Sequence, residues 1–375
     1  MEYKVSHKLI FRFVVVLLRS FAIFLSLMVI LGCPNPSNND STSNDSIPDD
    51  SISQNGINIY VCGRNDTKPC YWVNSRRVDL EHPSYPYGYI TDIKAYNGKV
   101  YVSGYVLKDQ KRQACYWIDN DFFLLYPHSG EQEESMTEKM IIIDNIFYIV
   151  GYYSQNGISY ACYWKNGELV TLQNEKTNKS GGASIYVKNN NIYVGGAYLD
   201  DEKKYTPCYW LNGEMVTLQG YGYINFIDIQ NDKLILAGFN HEYFKYGRRE
   251  RGCRWENDDF TIYTDVDCQV KDIFVFNNKV YLTGCYFAYI SSDKSMRKAC
   301  YYIDTKKIEI SVPFYEYSEA NCIIQYEGEI YMAGETGING EYPPQRRACY
   351  WIGNVFYTLP GGQDSYATNI FVNRS

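Results

Sequence analysis

Cys-Tyr-Trp occurs five times in this chain, at Cys70-Tyr71-Trp72, Cys115-Tyr116-Trp117, Cys162-Tyr163-Trp164, Cys208-Tyr209-Trp210 and Cys349-Tyr350-Trp351. Two degenerate copies, Cys253-Arg254-Trp255 and Cys300-Tyr301-Tyr302, complete a series of seven. Successive cysteines lie 45, 47, 46, 45, 47 and 49 residues apart. A steady period of this size restricts the chain to a repeat architecture, in which each unit buries its apolar face only against its neighbours. The 375 residues therefore need no single large central core.

One unit can be read from residues 90 to 126. Ile90 to Tyr96 is expected as a strand, followed by the hairpin signal Asn97-Gly98 and a second strand, Val100 to Gly104. A polar connection from Leu107 to Gln113 is expected to lead to a third strand, Ala114 to Ile118. Asp119 to Asp121 then turns into a fourth, Phe122 to Tyr126. Cysteine and tryptophan, two residues apart, share one strand face and the intervening tyrosine occupies the other. The glycine at the end of each second strand is expected to permit close approach of a neighbouring backbone.

The two ends complement each other. Ile59-Tyr60-Val61-Cys62-Gly63 matches the second strands with no first strand before it, and Tyr366 to Val372 matches the first strands with no second strand after it. A ring in which the C-terminal strand completes the N-terminal unit satisfies both, whereas an open array would leave two bare edges. This pattern resembles a seven-bladed β-propeller of four-stranded antiparallel blades, all-β, spanning 57–375. The resemblance implies that connections between strands two and three, and between blades, share one face. The stretches 240–252, 286–298 and 336–347 are expected there as long variable loops, the usual carriers of binding residues.

The first 32 residues read as an export signal, with a basic start and an apolar run from Phe21 to Leu31 that is short for a membrane span. Ile30-Leu31-Gly32-Cys33 resembles the lipobox of bacterial lipoproteins. That resemblance implies cleavage before Cys33, its acylation, and attachment to an envelope membrane, inner or outer, with the folded part outside the cytoplasm. An ordinary signal peptide with an incidental cysteine, or an uncleaved anchor, are the alternatives. Residues 33–56 then form the lipidated cysteine and a polar Asn/Ser/Asp/Pro tether. As a coil the 23 residues after Cys33 span roughly 25–30 Å.

The chain carries a formal charge of −7. Removing the leader takes away four of 36 basic residues and one of 43 acidic ones, leaving 32 and 42, or −10. Such a surface is unsuited to binding nucleic acid, which needs phosphates neutralised. The mature chain is expected to be a monomer.

Catalytic signals are sparse. His82, His128 and His241 have no metal-ligand spacing, and no nucleophile elbow, phosphate loop or EF-hand loop is present. No cofactor or metal is expected. The motif cysteines are expected as small buried packing groups, with Cys62–Cys70 and Cys268–Cys285 as possible disulfides in an exported chain. Basic and aromatic residues cluster around the third strands: Arg112, Tyr243, Tyr246, Arg248, Arg249, Arg251, Tyr289, Arg297, Arg346 and Arg347. Inter-blade loops lean acidic, with Glu131, Glu133, Glu134, Asp265, Asp267, Glu316 and Glu319. Arginine and tyrosine are favoured where interfaces concentrate binding energy. A protein- or glycan-recognition scaffold is therefore the leading expectation. Its rivals are an envelope hydrolase or lyase using channel-mouth carboxylates, Asp92 or Asp272, and an envelope-assembly factor.

Overall fold

A computed structural model of the chain describes residues 56–125, 134–172, 179–244, 247–256, 259–264, 268–291, 294–312, 315, 317–337 and 345–374. Seven four-stranded antiparallel sheets are formed, numbered here as blades one to seven from the N-terminus. Blade one consists of Ser365–Arg374, Ile57–Asn65, Lys68–Val73 and Arg76–Asp79, so the last strand of the chain pairs with the first and closes the ring. The closing pairs run from Ile57 opposite Arg374 to Asn65 opposite Ser365.

Seven apolar clusters fill the gaps between blades. In the gap between blades one and two, Tyr71 meets Cys115 and Trp117. Tyr116 meets Cys162 and Trp164 in the next gap, and Tyr163 meets Cys208 and Trp210 in the one after. The last gap brings Tyr350 against Cys70 and Trp72. The tripeptide thus packs as expected, with cysteine and tryptophan toward the preceding blade and tyrosine toward the following one. All six tryptophans are fully buried. The Trp72 and Trp255 indoles donate to the connections entering their own blades, at Pro360 O (2.8 Å) and Gln219 O (3.1 Å). The two departures from the motif fall in one gap. Arg254 of blade five faces blade six, where Tyr302 stands in place of tryptophan and packs in the cluster of that gap.

A second stitch between blades is serine-based. Ser135, Ser180, Ser318 and Ser365, each the first or second residue of a first strand, accept the backbone N–H of Ala114, Ala161, Ala299 and Ala348 in the preceding blade at 2.9–3.1 Å. Each of these alanines immediately precedes a motif cysteine.

The repeated glycine lies within its strand, which continues several residues beyond it, as in Lys99–Lys108 around Gly104. Each innermost strand carries a β-bulge opposite that glycine, such as the one between Ile90 and Asp92. A Cβ on Gly104 would lie 2.0 Å from the Tyr89 carbonyl oxygen, and one on Gly334 2.0 Å from that of Glu319. The expected close approach is therefore to the bulged neighbouring strand of the same blade.

The expectation of long loops between second and third strands is corrected. In blade two, Lys99–Lys108 and Lys111–Ile118 meet at a tight turn, Asp109-Gln110, both at positive φ. In blade five the pair Lys233–Phe244 and Gly247–Glu256, and in blade six Lys279–Ser291 and Lys294–Ile303, form long hairpins where loops were expected. These arms extend beyond the inter-blade gaps and carry polar and aromatic residues without the alternation that marks a half-buried strand. In blade seven, residues 338–344 lie outside the described set.

The cysteines also settle. All eleven described cysteines are buried and unbridged. Cys62 pairs in register with Tyr71 while Cys70 sits opposite Gly63, so the two thiols point into different inter-blade gaps. Cys268 is opposite Tyr286, not Cys285, and its sulfur lies 3.7 Å from that of Cys300, well beyond a covalent S–S bond. Neither pair is bridged, and packing accounts for these cysteines.

Candidate functional site

The innermost strands line a central channel, and their bulges set two rings of side chains along it. The lower ring contains the carboxylates that sequence reasoning offered for catalysis. Asp92 is 2 % exposed, and its Oδ2 accepts the Met140 N–H of the next blade at 2.7 Å. Its Oδ1 takes the Ile93 N–H at 2.8 Å and the Lys94 ammonium at 2.6 Å. Asp272 does the same between blades six and seven, accepting the Ile323 N–H at 3.3 Å, and Lys139 reaches across from blade three to its Oδ1 at 3.0 Å. Ser184 supplies a matching bridge to the Ile227 N–H at 3.2 Å. Both aspartates are thus held by backbone donors and lysines. A cavity of about 450 Å³ lies at this mouth, toward the short turns, and includes Asp92, Lys94, Lys139 and Asp272.

Two recesses on the hairpin face are lined by described residues. The larger, about 800 Å³, is centred on blades three to five and bordered by Arg112 of blade two and Lys271 of blade six. Its floor is backbone and small side chains, Gly181, Gly182, Ala183, Gly196 and Ala197. Tyr205, His241, Tyr223 and Phe239 form a continuous aromatic wall, each ring meeting the next edge-on at 6.1, 5.5 and 5.0 Å. Tyr152 and the Arg112–Glu134 ion pair (2.7 Å) also line it. Half-buried Glu138, on the bulge of blade three, is pushed up to about 7 by burial, with Lys139 and Arg112 opposing the shift.

The smaller recess, about 480 Å³, is a charge network on blades six, seven and one. Glu319 is buried and pairs with Arg297 and with Lys271 at 3.2 Å. Burial disfavours its charge, yet the two cations outweigh it and hold the carboxyl below its ordinary value. Burial raises Glu335, which accepts the Tyr317 hydroxyl at 2.5 Å and faces Arg346 at 3.7 Å. Arg346 also pairs with Asp364 at 2.7 Å, and its guanidinium and that of Arg64 lie 5.2 and 4.9 Å from the ring of Tyr366.

The expected binding residues divide accordingly. Arg112 lines the larger recess and Arg297 and Arg346 the smaller. Arg249 and Arg251 sit on the blade-five hairpin against Glu242, at 3.8 and 3.1 Å, and the Tyr243 hydroxyl accepts the Tyr205 N–H at 3.2 Å. Arg248 and Tyr289 pair through their backbones with Tyr243 and Ser295. Arg347 is exposed. Asp92 and Asp272 belong to the opposite mouth, so they do not join the arginines. Cys33, Tyr246, Glu131, Glu133, Asp265, Asp267 and Glu316 lie outside the described residues. Sequence reasoning missed Glu138, Lys271, Tyr317 and Glu335 as site residues, together with the glycine-alanine floor. Aligning the innermost strands against one another, Tyr89-Ile90-Thr91-Asp92 above Gly181-Gly182-Ala183-Ser184, would have exposed the floor.

Among the described residues no group of three or more His, Cys, Asp or Glu side chains could hold a metal ion. No family model and no curated protein matches the sequence. Solved structures do resemble the fold. A puromycin-hydrolysing peptidase of Mycobacterium tuberculosis aligns at a TM-score of 0.52 with 8% identity, over 78% of this chain and 49% of its own. The β-propeller domain of the Trilobed protease from Pyrococcus furiosus aligns at 0.40 with 11% identity, over 74% and 96%. A polysaccharide lyase of the ulvan-lyase kind aligns at 0.44 with 10% identity, over 74% and 82%. The chain spans about half of the peptidase, and identities this low speak to the fold alone. By fold the protein is a seven-bladed β-propeller.

Proposed function

We propose that this chain is an envelope lipoprotein, anchored through Cys33, whose propeller is a recognition scaffold for protein or glycan on its hairpin face. The carrying observation is the 800 Å³ recess, where an aromatic wall stands beside paired charges over a bare floor. Pockets of this size and make-up are the usual form of small-ligand sites. The hydrolase or lyase reading rested on Asp92 and Asp272, and both are committed to backbone N–H groups and lysines that join blades. The acidic composition continues to argue against nucleic acid.

The test has two arms. Metabolic labelling with a palmitate analogue in a bacterial host should mark the full chain and fail on Cys33→Ala; labelling that persists in the variant removes the anchor. Envelope extracts and a glycan array should yield a ligand whose binding survives Asp92→Asn. Substrate turnover abolished by Asp92→Asn, with no ligand found, would replace the scaffold by an enzyme.

A further inference from the structure

The blades are copies, so a recess whose floor is formed by blade four alone needs a local cause. At the register position one pair before the repeated glycine's, blades one, two and five carry Tyr366, Tyr89 and Tyr223, and blades three, six and seven carry Met136, Gln269 and Glu319. Their second-strand partners there are, in the same order, Arg64, Tyr105, Phe239, Tyr152, Cys285 and Glu335. Blade four has Gly181 opposite Ala197. Two side chains that occupy the channel mouth elsewhere are absent at this one point. Gly181 carries no packing obligation: a Cβ built on it meets no atom within 4 Å, and its φ lies outside the left-handed region. The chain therefore keeps a glycine where neither backbone conformation nor crowding demands one.

The walls indicate what fits. Tyr205 and Tyr223, joined through His241, offer ring surface to an apolar face. The charges nearby are balanced within the protein: Arg112 by Glu134 at 2.7 Å, and Lys271 by Glu319 at 3.2 Å. A charged ligand would have to break these pairs or enter without a counter-charge, and burying an unpaired charge is costly. A neutral ligand with an apolar ring face and a hydroxyl-bearing edge meets no such cost, because paired carboxylates and guanidiniums still accept from and donate to hydroxyls.

We propose that the recess over blade four is a binding subsite for a neutral saccharide, a pyranose ring standing on the Gly181–Ala197 floor against the tyrosine wall. The proposal rests on the recognition role above and narrows it to one ligand class and one blade.

The experiment measures binding of the full chain, in detergent, to mannohexaose, cellohexaose and xylohexaose by calorimetry, with a galacturonate hexamer as the anionic comparison. At least one neutral hexasaccharide should bind. Gly181→Tyr, which installs the residue found at this position in blades one, two and five, should weaken it tenfold or more with the melting temperature unchanged. Tyr205→Ala, at a wall residue 40% exposed, should weaken it similarly and decides the matter should Gly181→Tyr fold poorly. Binding that both variants leave intact overturns the subsite, and binding of the galacturonate hexamer alone overturns the neutral class. If no saccharide binds while an envelope protein does, the saccharide subsite falls and the scaffold stands. If nothing binds, both fall.

Discussion

Lys139 of blade three and Asp272 of blade six meet across the central channel, Nζ to Oδ1, at 3.0 Å. Asp272 also holds the Ile323 N–H of blade seven, and the same lysine reaches the Asn225 carbonyl of blade five at 3.3 Å. Two side chains thereby tie four blades together at the point where the sheets converge. Removing one partner of a largely buried pair strands the other. Asp272→Ala should cost about 3 kcal/mol in chemical denaturation, while leaving ligand binding at the hairpin face unchanged. A loss below about 0.5 kcal/mol would mean that the pair is solvated and idle.

The buried thiols give a chemical test of the packing account. Burial pushes Cys62 and Cys285 up to about 12 and raises six of the seven motif thiols, and Cys300 is raised first by its hydrogen bond with Cys268 and then by burial, so thiolate is scarce at neutral pH. The eleven propeller cysteines should resist a maleimide in the native state and react together on unfolding. Mass spectrometry without reductant should find no internal disulfide. A Cys62–Cys70 bridge would contradict the register between Ile57–Asn65 and Lys68–Val73.

Glu138 makes stability depend on pH in a definite direction. Its carboxyl rises from 4.5 to about 7 on folding, chiefly through burial. Between these values the native protein holds a proton that the unfolded chain has lost, so stability is greatest below the window and declines as pH rises through it. Partial solvent access reduces the effect to about 1 kcal/mol. Denaturation midpoints at pH 5 and pH 8 should differ less in Glu138→Gln than in the parent chain; an equal difference would assign the dependence to other groups.

Arg254 occupies the place of the motif tyrosine and is 7% exposed. Two of its nitrogens are satisfied, by Asn278 at 2.8 Å and Glu256 at 2.9 Å, but its Nε has no hydrogen-bond partner among the described residues. Restoring the motif with Arg254→Tyr should stabilise the fold by about 1 kcal/mol, by removing a buried guanidinium. A lower melting temperature would show that Tyr302, the companion departure across the gap, has adapted the gap to arginine.

The fold was readable because every inter-blade gap makes the same demand. A buried Cys-x-Trp against a tyrosine recurs wherever two blades meet, and even its failures at Arg254 and Tyr302 fall on one gap. Closure was readable for a similar reason, since Tyr366 to Val372 had no partner except Ile59 to Gly63. The arms of blades five and six were not, because a hairpin outside the packed gaps has no buried face to impose alternation on Tyr243, Arg249 or Arg251. The position of Asp92 and Asp272 on the channel was legible, but their hydrogen bonds were not, since nothing in the sequence shows a bulge turning the next blade's N–H toward them. The recess was hidden because it consists of missing side chains, at Gly181 and Ala197, seen only when the bulges are in register.

Which side of the propeller serves recognition can be decided by comparing two variants of the full chain. Gly181→Tyr fills the hairpin face without touching the channel staples, and Lys139→Met cuts the staple without touching the floor of the recess. Titrated with the same bound saccharide, Gly181→Tyr should lose tenfold or more in affinity, and Lys139→Met should keep its affinity while melting at lower temperature. The reverse pattern, with affinity lost in Lys139→Met and kept in Gly181→Tyr, would place the ligand in the channel and contradict the assignment.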